Sequence, residues 1–182
     1  LRALGGAKPN LDAEIEARKE EARHLLNLHS MLPGTEAPLW KTLEVSYFAR
    51  HDAGDIAWHA RSLFRHLETA EPVVKARPSK AGEGLQLCVY VRDQPNLFAR
   101  ICGFVGKLQF NIVEAKIHTT QNGDALDSFV VLDEEKRATH YRDLLNYIEY
   151  ELAQELRQAR PLEAPSRGRV SRQLKHFPIA PQ

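Results

Sequence analysis

Two apolar-alternating runs, 112–119 and 125–132, flank Gln121-Asn122-Gly123-Asp124, and that junction restricts the possible folds more than any other stretch of the chain. Asn-Gly between alternating runs is the strongest short-range signal for a β-hairpin, because both central residues of a type I′ turn need positive φ. Counting outward from a two-residue Asn122-Gly123 loop sets a register. Ile117 then faces Ser128, Ala115 faces Val130 and Val113 faces Leu132 on an apolar face. His118 faces Asp127 on the other side, together with Glu114, Lys116, Phe129 and Val131. A pair such as His118–Asp127 on an open face reads as a cross-strand surface contact.

The residues before the hairpin supply another strand and a helix. In 85–91, Leu85, Leu87, Val89 and Val91 point one way while Gln86, Cys88 and Tyr90 point the other, the period of a strand. The stretch "DQPNLFARI", 93–101, hands this strand over to a helix from about 96 to 108 that buries Leu97, Ile101, Val105 and Leu108. A long helix is expected over 139–157, with Tyr141, Leu145, Ile148 and Leu152 on one face. The order strand, helix, strand, strand, helix lacks one strand of a ferredoxin-like βαββαβ sandwich, an α+β fold. The candidate for that fourth strand lies within "RVSRQLKHF", 169–177.

The first part of the chain reads as helical. Asn10 can cap a helix whose first turn carries Asp12 and Glu14, and Pro33 and Gly34 end it. Asp52 caps a further helix, with Asp55 three residues on and Ile56, Ala60, Leu63 and Leu67 along one side. Pro72, Pro78 and "SKAGEG" read as a joint, which divides the chain into a helical connector, 1–78, and an α+β domain, 79–182.

Composition narrows the function classes. At 182 residues the chain makes one medium domain or two small ones, and it opens at Leu1 as a piece of a longer protein would. Lys+Arg 25 against Asp+Glu 24 leaves a net charge of +1, which gives nucleic acid no general attraction. The basic tail from Arg157 to Lys175 has no interleaved aromatic residues and reads as a solvated linker or a docking strip for an acidic domain. No apolar run approaches the ~20 residues that span a bilayer, so no membrane is expected. Cys88 and Cys102 fall in a strand and a helix, as buried thiols of a cytosolic protein would.

The sequence carries no recognisable catalytic constellation. His51, His59 and His66 have spacings that match no zinc-ligand pattern, and His51-Asp52 reads as a helix start. His118 and Asp127 have no serine or cysteine nucleophile placed beside them. No phosphate-binding glycine loop is present. Neither a catalytic residue nor a metal ligand is therefore expected, and the chain by itself is expected to need no cofactor.

The 93–98 turn is the remaining candidate. Asp93 can accept hydrogen bonds from the turn that follows, and Pro95 suits a helix start. The backbone amides near Asn96, at the positive end of the helix, would attract a carboxylate or phosphate. On physics alone this is equally a well-capped strand-to-helix turn.

The stretch from Val91 to Asp133 resembles an ACT domain, a small regulatory module that often binds amino acids. The resemblance rests on D-x-P-x-L-F-x-x-I after the first strand, on Asn111-Ile112-Val113 and on the hairpin. It implies a ligand site of Asp93, Gln94, Pro95, Asn96, Leu97 and Phe98, completed by Asn111 and Ile112 of a neighbouring ACT domain. "IHTTQNGDALDSFVVLD", "LWKTLEVSYFARHDAGDIAWHAR" and the terminal "KHFPI" are further similar to a family of bifunctional uridylyltransferases and uridylyl-removing enzymes that act on PII nitrogen-signalling proteins. In that family a nucleotidyltransferase domain and an HD hydrolase domain precede such a region, and a second ACT domain follows it. The resemblance implies a cytoplasmic enzyme that uses UTP and Mg²⁺, removes the uridylyl group by hydrolysis and is regulated by glutamine. The family pattern has glycine where Asn96 stands. Two readings follow: the asparagine amide replaces a ligand contact, or its side chain closes the site. An interaction module that pairs with the second ACT domain or another copy, and binds no small molecule, is the alternative. An unrelated ferredoxin-like enzyme is a third reading, without a catalytic set to support it.

Overall fold

The computed structural model describes residues 2–80, 83–134 and 141–157, which form two compact units. Of the described residues, one unit comprises 2–68 with 120–122, and the other 69–80, 83–119, 123–134 and 141–157.

The first unit is helical: α1 (Arg2–Leu28), α2 (Ala37–Trp40), α3 (Val45–Arg50) and α4 (Ala53–Leu63). α1 begins well before the expected cap, so Asn10 lies inside it. Its apolar stripe of Ile15, Ala22 and Leu26 is buried, as 3.6-residue periodicity requires. From the same helix the Arg18 guanidinium donates to the carbonyls of Phe48 (2.6 Å) and Ala49 (3.0 Å), which satisfies acceptors that the last turn of α3 leaves open. At the start of α4 the Asp52 carboxylate accepts from the Asp55 amide at 2.8 Å, the cap expected from sequence. Asp52→Ala should therefore lower the stability of this unit by about 0.5–2 kcal/mol, measured as a shift in the urea midpoint. His51 and His59 are buried against Tyr47. The Tyr47 hydroxyl and His59 Nδ1 share a 2.5 Å hydrogen bond, and His51 Nδ1 donates to the Tyr47 carbonyl at 2.9 Å. With ring centroids 5.2 Å apart, the two imidazoles form part of an aromatic core.

The second unit contains β1 (Val73–Pro78), β2 (Leu85–Arg92), α5 (Leu97–Lys107), β3 (Phe110–Thr119), β4 (Asp124–Asp133) and α6 (Tyr141–Arg157). Its four strands form one antiparallel sheet in the order β1-β2-β4-β3. Leu85, Leu87, Val89 and Val91 meet Ile101, Val105, Ile148, Leu152 and Leu156 in the core. The chain is thus α+β, an ACT-like ferredoxin sandwich preceded by helices. Among the described residues no helix is long and apolar enough to cross a membrane.

Two features differ from the sequence reading. The first concerns the fourth strand. The segment 169–177 expected to form it lies outside the described residues, and the place beside β2 is taken by β1, drawn from the stretch read as a joint. The second compact unit accordingly begins at Thr69, ahead of β1. Val73 and Val74 have the branched side chains a strand buries, and both are buried. Pro72 and Pro78 masked this signal, yet a proline is tolerated at the end of an edge strand. Glu149 of α6 covers this edge, its Oε2 accepting from the Ala76 amide at 2.9 Å.

The second difference is the hairpin register. Observed pairs are Thr119–Ala125, His118–Leu126, Ile117–Asp127 and Ala115–Phe129, one residue away from the expected pairing. Gly123 takes positive φ (+84°) and Asn122 does not, so the loop holds three residues, 121–123, the type I turn with a left-handed glycine instead of a type I′ turn. Because side chains alternate, this slip exchanges the two faces of β4. Asp127, Phe129 and Val131 point toward the helices and are buried, and His118 is on the opposite face from Asp127. The expected surface pair does not form, and the apolar open face read from Phe129 and Val131 is part of the core. A bulge between Ile112 and Glu114 then restores Ile112 opposite Val131, leaving Val113 exposed. Cys88 and Cys102 are buried and form no disulfide, and burial pushes the Cys102 thiol up to about 12, far from thiolate chemistry.

Candidate functional site

The 93–98 turn is built by the end of β2 and the start of α5. The Asp93 amide donates to the Gly123 carbonyl at 3.1 Å, which ties the turn to the tip of the β3–β4 hairpin. Asn96 is the N-cap of α5 in the left-handed conformation, φ 64° and ψ 19°, and its side chain makes no capping hydrogen bond. Its carbonyl accepts the first helical bond, from the Arg100 amide at 3.0 Å. Positive φ explains why glycine suits this position in the family pattern. Asparagine is among the few residues that tolerate it, so the backbone geometry is kept despite the added side chain. An N-terminus without a side-chain cap presents its first-turn amides outward at the positive end of the helix.

The expected site residues take different roles. Asp93, Pro95 and Asn96 are exposed on the turn. Gln94 is an anchor: its Oε1 accepts from Arg100 and its Nε2 donates to the Leu156 carbonyl at 3.4 Å, while Arg100 also donates to the Glu155 carbonyl. The turn, α5 and the end of α6 are thereby held together. Leu97 is buried in the core, and the Phe98 ring lies 6.2 Å from that of Phe129. Asn111 and Ile112 are at the other end of the sheet. Asn111 pairs with Leu132, whereas Arg92, next to the turn, pairs with Asp124. From Asp124 to Leu132 along β4 is about 26 Å at ~3.3 Å per residue. Within one chain the turn and Asn111–Ile112 are therefore separate.

The tertiary structure adds a residue that sequence reasoning placed elsewhere. Asp127 lies between Val89 and Ile117 on the helix-facing side of the sheet, two residues along β4 from Phe129, and is only 1% exposed. Its Oδ1 has no hydrogen-bond partner among the described residues. Burial pushes its carboxyl up to about 7; a hydrogen bond from the His118 backbone acts in the opposite direction, and the negative charge of Asp93 raises it further. No local signal in the sequence distinguishes this aspartate, because its face depends on a loop one residue longer than Asn-Gly suggests. On the other face at this end, Tyr90 Oη donates to Asp124 at 3.0 Å and Arg92 lies 3.6 Å from the same carboxylate. Burial, and then Asp124, push the Tyr90 hydroxyl above its usual range. Among the described residues no cluster of three or more His, Cys, Asp or Glu side chains is arranged to hold a metal ion.

A family model described as "Uridylyltransferase GlnD fifth domain" matches residues 10–62, the helical unit. The chain is 49% identical over its whole length to a bifunctional uridylyltransferase/uridylyl-removing enzyme of Aromatoleum aromaticum, of which it covers 21%. A protein of the same name from Thiobacillus denitrificans is 53% identical over 91% of the chain, which covers 20% of that relative. One from Chromobacterium violaceum is 49% identical over the whole chain, again 21% of the relative. No solved structure matches. The chain spans about a fifth of the length of these curated relatives, and over that segment it belongs to the family of bifunctional uridylyltransferase/uridylyl-removing enzymes.

Proposed function

We propose that this chain is the regulatory, amino-acid-sensing segment of a uridylyltransferase/uridylyl-removing enzyme, with glutamine as its effector. The whole protein would attach uridylyl groups from UTP to PII signalling proteins with the help of Mg²⁺ and remove them by hydrolysis. Both reactions would belong to parts of the relatives that this chain does not span. The observation that carries the sensing role is the left-handed Asn96 at the start of α5, which leaves the helix without a side-chain cap. A carboxylate is the natural occupant of such a terminus. Backbone amides from Asn96 to Phe98 would donate to the effector's carboxylate, and the Asp93 carboxylate would accept from its ammonium. Asn111 and Ile112 are remote in one chain, so they would complete the site from a second ferredoxin-like domain or another copy. Effector binding and domain pairing would then be coupled.

Titration calorimetry of the chain with glutamine tests this reading. Saturable binding is expected, and Asp93→Ala should weaken it roughly ten- to hundred-fold, the worth of a charge-assisted hydrogen bond. Asn96→Gly should leave binding unchanged or tighten it, because the same backbone conformation is reached without the side chain. Sedimentation should show glutamine-dependent pairing. Absence of saturable heat with the wild-type chain would refute the sensor role and leave a pairing module.

A further inference from the structure

On the helix-facing side of β4, Asp127 lies between two contacts that belong to the 93–98 turn. Toward the middle of the sheet, Phe129 packs its ring 6.2 Å from that of Phe98, in the first turn of α5. Toward the hairpin tip, the Asp93 amide bonds the Gly123 carbonyl. Asp127 thus sits on the strand face between these two contacts, buried to 1% exposure; the His118 backbone donates to its carboxyl, and its Oδ1 has no hydrogen-bond partner among the described residues. Its neighbours across the sheet, Val89 and Ile117, are apolar. Along its own strand face it has Ala125 and Phe129. From α5, Arg100 is engaged by Gln94 and by the Glu155 carbonyl of α6. Arg92, Asp124 and Tyr90 are on the opposite face. Among the described residues, the charged group that acts on Asp127 is Asp93, and it is of like sign.

Two carboxyl groups therefore flank the positive end of one helix. A donor-rich cation between them would relieve their repulsion and satisfy the buried oxygen, while an anion is drawn to the amides above. We infer that Asp127 is the buried ammonium-binding group of this turn, the ligand being an α-amino acid zwitterion whose carboxylate meets the α5 amides. This deepens the sensor reading and rests on it. An α-amino acid carries both charges on one carbon, which matches a site whose opposite charges converge on a single turn. Because the bound ammonium needs the ionised carboxylate, affinity should rise between pH 6 and pH 8, where Asp127 loses its proton and the ligand's ammonium keeps its own.

The test compares glutamine with glutaramate, the same molecule without its amino group, by calorimetry on the wild-type chain and Asp127→Asn. The wild type should prefer glutamine; Asp127→Asn should bind it about ten- to hundred-fold more weakly and lose most of the preference. If Asp127→Asn keeps wild-type affinity and preference, Asp127 is not the ammonium group, although the turn remains a sensor. If the wild type binds none of the proteinogenic amino acids, both readings fall. Should the variant not fold, carbon-13 NMR of the wild-type Asp127 carboxyl decides: saturating ligand must lower its titration midpoint, and an unchanged midpoint overturns the inference.

Discussion

Asp127→Asn is expected to make the chain more stable than the wild type at pH 8 and nearly equal to it at pH 4, in the absence of ligand. The carboxyl titrates near 3.8 in the unfolded chain and near 7 in the native one. Between these values the native state holds a proton that the unfolded state has released, so stability falls as pH rises through the window and levels off above about 7. At 1.36 kcal/mol per pH unit the ionised side chain costs on the order of 4 kcal/mol at pH 8, and asparagine, which resembles the protonated acid in shape, removes this cost. Urea unfolding of both proteins from pH 4 to pH 8 gives the difference directly. A gap that does not change with pH would mean that Asp127 titrates as an ordinary exposed carboxylate.

Gly84→Ala is expected to be the most damaging single-methyl change in the sheet unit. Gly84 has φ +87°, and a Cβ there would stand 2.1 Å from the Val131 carbonyl oxygen and 2.8 Å from Leu132 Cδ2. The oxygen belongs to the backbone of β4, opposite Leu85, and cannot be moved without disturbing the central ladder. Left-handed backbone costs an alanine roughly 1–2 kcal/mol, and overpacking adds about 1–3 kcal/mol. Together these give a loss of about 2–5 kcal/mol. Gly34→Ala is the internal comparison: its φ is +85° but no atom lies within 4 Å of the added carbon, so only the backbone cost of roughly 1–2 kcal/mol remains. Equal losses at the two sites would show that the close approach of β4 to Gly84 contributes nothing.

The sequence alone determined what depends on local periodicity and short-range chemistry. The strand at 85–91, the amphipathic α5, the hairpin's existence, the Asp52 cap and the α+β class follow from alternation, helical spacing and turn residues, each confined to a few neighbouring positions. So does the turn at 93–96 between a strand and a helix. What the sequence left to the tertiary structure depends on pairing between distant segments. The strand at Val73–Pro78 is too short and too closely bounded by prolines to announce itself, and it exists because β2 offers an edge to pair with. The faces of β4 were decided by one extra loop residue, since a period of two turns a single-residue slip into a complete exchange of inside and outside. Asp127 followed that exchange from an expected surface pair with His118 into the core. Its titration near 7 is a property of that burial and of Asp93 nearby, neither of which any window of sequence around it contains.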